Sequence, residues 1–318
     1  MSVPIVYSAR YRIDIGPHVF PTEKYQRVHA RLLQAGMIEP PDVVEPELAT
    51  WDELGLVHTA EYLAKMRDGT MLPEDVAQLE LPWSQQMVDG FRLMVGGTIR
   101  AGLIATGSER RSLKSELVVH IGGGLHHAFP NHGEGFCPFN DVAVAVRVLQ
   151  ARGLERIAIV DLDAHHGNGT AFIFESDPRV FTFSMHQQHN YPMWKPRGTL
   201  DIGLADGTHD AMFLRELTRG LAAVMAHAPQ CVFYLAGADP YEDDQLGGLR
   251  LTRDGLRQRD RLVIETVRAA SVPLVITLAG GYARRVEDTV AIHAATVEEA
   301  RREPGDAQRM QGGPLRAG

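Results

Sequence analysis

The sequence predicts one α/β domain built on a mostly parallel sheet. Short apolar runs, each long enough for one strand, alternate with stretches whose apolar residues recur at helical spacing. Polar residues able to act on a ligand stand directly after those runs: His126 and His127, residues 161–168, His186, Asp239 and Tyr282. Parallel α/β sheets bind ligands beyond the carboxyl ends of their strands, so this shared placement weighs more than any single motif.

Residues 4–8 form the first strand, and the Pro-containing segment 10–21 is irregular. Thr22 is positioned to cap a helix over 23–33, with Tyr25, Val28, Leu32 and Leu33 on one face. A short extended piece at Val43 and Val44 precedes two brief helical pieces, 52–57 and 60–66; residues 68–81 are polar and poorly periodic. Ser84 opens a longer helix to about Ala105, striped by Met87, Phe91, Met94 and Val95. A strand over 117–121 runs into Gly122-Gly123-Gly124-Leu125-His126-His127, and a glycine-rich loop over 131–136 leads to a helix over 140–152. Strands follow over 157–160, 180–185, 200–204, 231–236 and 273–278. Helices over 210–227, from the Thr252 cap to Ala270, and over 286–301 complete the alternation. Residues 1–302 are expected to form a single catalytic domain, and the Gly-, Pro- and polar-rich residues 303–318 a flexible tail.

The 318 residues show no internal repeat and no compositional break that would mark a second domain. A net charge of −8 and a pI near 6.0 argue against nucleic acid or anionic membranes as partners. Two cysteines, Cys137 and Cys231, imply no disulfide framework. The start lacks the basic and apolar regions of a signal peptide, and no apolar run approaches the ~20 residues that span a bilayer. A cytoplasmic protein is expected.

The run Ile157-Ala158-Ile159-Val160 ends in Asp161, Asp163 and His165 at alternating positions, which an extended chain points to one side. Carboxylates are costly to bury there without a cation, and carboxylate with imidazole suits zinc and similar divalent metals. Asp163 and His165 alone could be surface residues of a turn. Asp239, ending another strand, makes three protein ligands and leaves a fourth position open, the layout of a catalytic zinc site. His126 and His127 are placed to act as general base and acid. Tyr282, after Gly280 and Gly281, could donate to a substrate carbonyl. Cys137 reads as a buried small side chain, and Phe129 and Phe136 as packing residues.

Gly122-Gly123-Gly124-Leu125-His126-His127, Gly135-Phe136-Cys137, Asp161-Leu162-Asp163-Ala164-His165-His166-Gly167-Asn168-Gly169, Ala236-Gly237-Ala238-Asp239 and Ala279-Gly280-Gly281-Tyr282 stand in the order found in the zinc-dependent histone deacetylase family. That family includes acetylpolyamine amidohydrolases and acetoin-utilisation proteins. The resemblance runs to about residue 295, and the opening segment 17–25 is most similar to the class IV-like bacterial branch. It implies the arginase/deacetylase fold, three α/β/α layers around an eight-stranded mostly parallel sheet. It implies catalytic Zn²⁺ on Asp163, His165 and Asp239, with His126 backed by Asp161 and His127 by Asn168. Tyr282 would be the oxyanion donor, and Gly135 and Phe136 would line the substrate tunnel. It further implies a structural K⁺ held by Asp161, the Ser184 hydroxyl and the carbonyls of Asp163, His165 and Met185.

The implied activity is hydrolysis of acyl-lysine amides in proteins or peptides. The runner-up is hydrolysis of small acylated amines such as acetylpolyamines, for which Glu242, Asp243 and Asp244 could form an acidic entrance. The plainer reading of that segment is a solvated turn in which Asp244 orients the neighbouring loop. Many eukaryotic relatives carry a backbone-gripping acid before the helix that starts near Ser84, a segment that here reads Glu80-Leu81-Pro82-Trp83. Two further readings are weaker: a dimanganese ureohydrolase, for which ligating carboxylates are missing, and an inactive acyl-lysine binding module.

Overall fold

The computed structural model describes residues 3–108 and 115–303; most of the expected tail lies outside the described residues. Its eight strands are β1 (Ile5–Val6), β2 (Val43–Val44), β3 (Leu117–His120), β4 (Ile157–Asp161), β5 (Val180–Gln187), β6 (Leu200–Leu204), β7 (Cys231–Leu235) and β8 (Leu274–Thr277). They form one sheet in the order β2-β1-β3-β8-β7-β4-β5-β6. Every pairing is parallel. The central strands β3, β8, β7 and β4 are buried at every position. Strands covered on both faces need continuous apolar runs rather than alternation, which is why their sequences read that way.

The helices among the described residues are α1 (Lys24–Gln34), α2 (Trp51–Leu54), α3 (Ala60–Asp68), α4 (Pro73–Leu79), α5 (Gln85–Ala105), α6 (Asp141–Ala151), α7 (Asn168–Phe174), α8 (Asp210–Ala226), α9 (Arg253–Ala269) and α10 (Val286–Arg301). α5 packs on α6 and against β1, β3 and β8. α1, α10, α9 and α8 follow one another over the opposite face, where α10 meets β3, α9 meets β8 and α8 meets β5. Three α/β/α layers result, as expected.

Ser84, Asn140 and Thr252 cap α5, α6 and α9 by accepting from the backbone N–H three residues on. Thr22 does not cap α1. Its hydroxyl donates to the Ile13 carbonyl at 2.7 Å, and the helix begins one residue later with Glu23 at the N-cap and no side-chain cap bond. α4 lies in the segment 68–81, whose sequence is polar and poorly periodic. Pro73 occupies its first turn, and Asp75 accepts from the Leu72 N–H at 2.9 Å. Only Leu79 of that helix is buried, so no apolar stripe announces it.

Candidate active site

Four loops meet at one sheet edge because β3, β8, β7 and β4 are neighbours. The loop after β3 carries His126 and His127, that after β8 Tyr282, that after β7 Asp239, and that after β4 residues 163–168. Side chains separated by more than a hundred positions therefore converge: His126, His127, Asp163, His165, Asp239 and Tyr282 stand at this edge, while His186, which has no evident partner in the sequence, lies outside it. The His186 ring packs on His166 at 4.6 Å and its Nδ1 lies 3.0 Å from Ser184 Oγ, away from the cavity lining.

One oxygen each from Asp163 and Asp239 and one nitrogen of His165 lie within 4.8 Å of one another, all three residues buried. His165 Nδ1 is 3.0 Å from Asp163 Oδ1 and 3.2 Å from Asp239 Oδ2. Backbone N–H groups hold the carboxylates: Ala164 donates to Asp239 Oδ1 and Gly280 to Asp163 Oδ2, both at 2.9 Å. An added Cβ at Gly280 would overlap both Asp163 Oδ2 and Asp239 Oδ2, so only glycine lets this loop pass over the pair. Burial and the neighbouring Asp163 charge push Asp239 up to about 7. A divalent cation between the carboxylates would remove that repulsion. Two oxygens and one imidazole nitrogen fit zinc, with room for a fourth ligand.

Beside this group, His126 Nδ1 lies 2.7 Å from Asp161 Oδ2 and His127 Nδ1 lies 2.7 Å from Asn168 Oδ1. The two Nε2 atoms are 3.1 Å apart. Since both Nδ1 atoms face acceptors and must donate, a contact between the Nε2 atoms requires one proton between them. Burial opposes charge on His126, but Asp161 and Asp163 outweigh it and hold the ring up to about 9. Burial, and then the charge of His126, keep His127 well below the ordinary range. With no cation on the neighbouring carboxylates, this balance favours the charge on His126 and leaves His127 neutral.

Tyr282 stands across the cavity, its ring 6.5 Å from that of His165 and 6.0 Å from that of Phe136. Its backbone N–H donates to Asp244 Oδ2 at 2.7 Å. Burial, followed by the Asp163 charge, raises its hydroxyl pKa well above the ordinary value, so the phenol is a donor. Gly135, Phe136, Tyr191, Asn190 and Leu246 line the approach, with Glu80 beside them. Tyr191 meets the His127 ring edge-on at 5.0 Å. Phe129 stacks instead on Trp194 and His132, and Cys137 is buried with its thiol pKa raised by burial.

Three side chains were not anticipated. Lys24 is wholly buried beside the cavity foot, its Nζ donating to the Ala279 carbonyl at 2.8 Å and lying 5.5 Å from the centre of the Tyr282 ring. Burial brings it down to about 8, against the pull of Asp239 and Asp163. Asp141, at the start of α6, accepts from Leu125 N at 2.7 Å and Gly124 N at 3.1 Å, and so pins the loop that presents the histidine pair. Glu134 accepts from Asn168 Nδ2 at 2.7 Å. A carboxylate just after a capping asparagine was the one signal available for Asp141; Lys24 and Glu134 are recognisable only in three dimensions. Asp244 is buried, accepting from Leu246, Gly247 and Tyr282 N–H groups, so it orients the loop as the plainer reading had it.

The model of the histone deacetylase domain matches residues 18–297. An uncharacterised protein of Picosynechococcus sp. (strain ATCC 27264 / PCC 7002 / PR-6) is 42% identical over 304 residues, covering 95% of this chain and 99% of the relative. Histone deacetylase 2 of Arabidopsis thaliana is 31% identical over 307 residues, covering 91% and 78%. In fold, the chain is similar to a crystal structure of an HDAC homologue complexed with SAHA, with a TM-score of 0.78, 24% identity and coverage of 95% and 85%.

Proposed function

The chain belongs to the histone deacetylase family, and on that premise we propose that it is a zinc-dependent deacylase that hydrolyses acyl-lysine side chains in proteins or peptides. The observation that carries this reading is the meeting of the Asp163, His165 and Asp239 group with the His126–His127 pair and Tyr282 at one strand edge. Zinc held by those three ligands would polarise an acyl carbonyl and make water more acidic. The protein's own groups then divide the work. Neutral His127 takes a proton from the attacking water as its oxygen bonds to the acyl carbon. The Tyr282 hydroxyl donates to the oxyanion that forms. As the C–N bond breaks, the histidine pair returns a proton to the leaving amine. Asp161 and Asn168 orient the two rings, and Gly135 and Phe136 guide the alkyl stem of the substrate.

Asp161 and Ser184 are register partners on β4 and β5, which supports a structural K⁺ held by Asp161, Ser184 and the carbonyls of Asp163, His165 and Met185. Glu80 beside the approach favours a second reading, hydrolysis of small cationic acylated amines. A matched panel tests both: acyl-lysine peptides from acetyl to long-chain, with acetylated spermidine and putrescine, assayed alongside zinc content. Peptide preference supports the first reading, polyamine preference the second. A zinc-free protein inert to the whole panel would overturn both and leave a binding module.

A further inference from the structure

We propose that Glu134 is a positioning residue for this reaction: it fixes the side-chain amide of Asn168 and thereby the tautomer of His127. The inference rests on the deacylase reading for its kinetic consequence, but not for its structural one.

Glu134, Gly135, Phe136 and Cys137 form a tight turn with positive φ at both central residues, closed by hydrogen bonds between Glu134 and Cys137. The turn sends Phe136 into the approach and Glu134 towards Asn168. Glu134 Oε1 accepts from Asn168 Nδ2 at 2.7 Å and from the Tyr191 hydroxyl at 3.0 Å. Oε2 faces Gln78 Nε2 at 3.3 Å and His132 Nε2 at 3.4 Å. Every one of these partners can donate, and although burial opposes it, they hold the carboxyl group below its usual pKa.

The consequence follows from donor and acceptor counting. An ionised carboxylate only accepts, so the amide nitrogen of Asn168 must face Glu134. The amide oxygen is then left for His127 Nδ1, 2.7 Å away. That oxygen only accepts, so Nδ1 must carry the hydrogen, and the Nε2 of the neutral ring keeps its lone pair. An asparagine turned by 180° would offer N–H to Nδ1 and favour a hydrogen on Nε2, which cannot then take a proton from water. Asparagine alone does not choose between these states; Glu134 fixes the amide in the one that also lets His127 Nε2 accept from His126 Nε2, 3.1 Å away. His126 needs no such intermediary, because Asp161 contacts its Nδ1 directly. The same Glu134 oxygen tethers Tyr191, whose ring packs on His127, so one carboxylate fixes both the orientation and the wall of that ring.

The test uses the zinc-loaded full-length chain with ¹⁵N-labelled histidine rings, His127 being assigned by the signal lost in His127→Asn. Wild type should show the hydrogen on Nδ1. Glu134→Gln should keep it, because its amide oxygen still accepts from Asn168, and should keep most of the rate. Glu134→Leu should lose that tautomer, with kcat reduced roughly 10- to 100-fold and KM within roughly two-fold. An unchanged tautomer in Glu134→Leu overturns the proposal, and so does its loss in Glu134→Gln. The signal is read from the resting protein, so a chain inert to every panel substrate would refute the deacylase reading while leaving this result decisive.

Discussion

Substituting Gly280 by alanine should empty the metal site while leaving the fold in place. The new Cβ would overlap Asp163 Oδ2 and Asp239 Oδ2 and lie 2.9 Å from Asp239 Cγ. Ordinary van der Waals contact starts near 3.4 Å, so the carboxylates must retreat by roughly 1 Å, whereas a metal site tolerates only about 0.2 Å in its ligand distances. If the loop withdraws instead, the Gly280 N–H leaves Asp163 Oδ2 and that oxygen loses its 2.9 Å bond. Either response should weaken zinc binding by roughly 100-fold or more, beyond what loss of an outer-shell partner costs. The assays are zinc stoichiometry of the purified protein and competition with a chromophoric chelator, with circular dichroism to confirm folding. Gly16→Ala is the control: its φ of +72° brings backbone strain, but no atom lies within 4 Å of the added Cβ, so zinc binding should not change. A Gly280→Ala protein that holds one zinc with unaltered affinity would refute the argument that this glycine exists to let the loop pass over the carboxylates.

Tyr282→Phe keeps the ring contacts with Phe20, Phe136 and His165; it should cost roughly 2.7–4 kcal/mol of transition-state stabilisation with zinc content unchanged, and undiminished kcat would remove the hydroxyl from the chemistry. Stripping zinc should destabilise the protein more at pH 8 than at pH 6. Asp239 without a cation is raised to about 7, so its folded-state advantage is present at low pH and lost as pH rises through that value; equal shifts in Tm at the two pH values would contradict this. His58 is buried with Nδ1 3.0 Å from the Phe129 carbonyl and Nε2 accepting from Asn140 N at 3.1 Å, and burial brings it down to about 4. Its neutral form therefore contributes stability that is fully present above pH 6.5 and falls by about 3 kcal/mol towards pH 4, a slope that denaturant titrations should find missing in His58→Gln. Glu80→Gln should lower turnover of acetylated spermidine relative to an acetyl-lysine peptide, and an unchanged ratio would dismiss Glu80 as a selector of cationic substrates.

The strands that frame the site were legible because burial on both faces forces unbroken apolar runs, and the proposed metal ligands because polar residues follow those runs directly. Their order in the sheet was not: nothing in residues 274–277 says that β8 lies between β3 and β7. α4 escaped notice because its only buried residue is Leu79, although its proline and Asp75 are a helix-start signal. Thr22 misled because its side chain turns to the Ile13 carbonyl, to which the hydroxyl donates, and its oxygen accepts nothing from the first turn of α1, whose N-cap is Glu23. Lys24 carried no signal in the sequence, because its Nζ donates a hydrogen bond to the Ala279 carbonyl, 255 residues away. Asn168 was found from its motif, but its orientation depends on Glu134, 34 positions earlier.

The position of β8 has a further bearing on how the chain is made. Without residues 274–277 the strand order leaves β2-β1-β3 and β7-β4-β5-β6 unconnected, with edges at β3 and β7 that β8 covers. The closing strand must enter between them, pairing Val118 with Val275 on one side and Phe233 with the same residue on the other. It brings Gly280 and Tyr282 behind it, so a chain short of that point lacks the glycine N–H that holds Asp163 and the phenol proposed as oxyanion donor. A chain cut short before β8 should therefore expose unpaired edges at β3 and β7 and be inert in the proposed reaction.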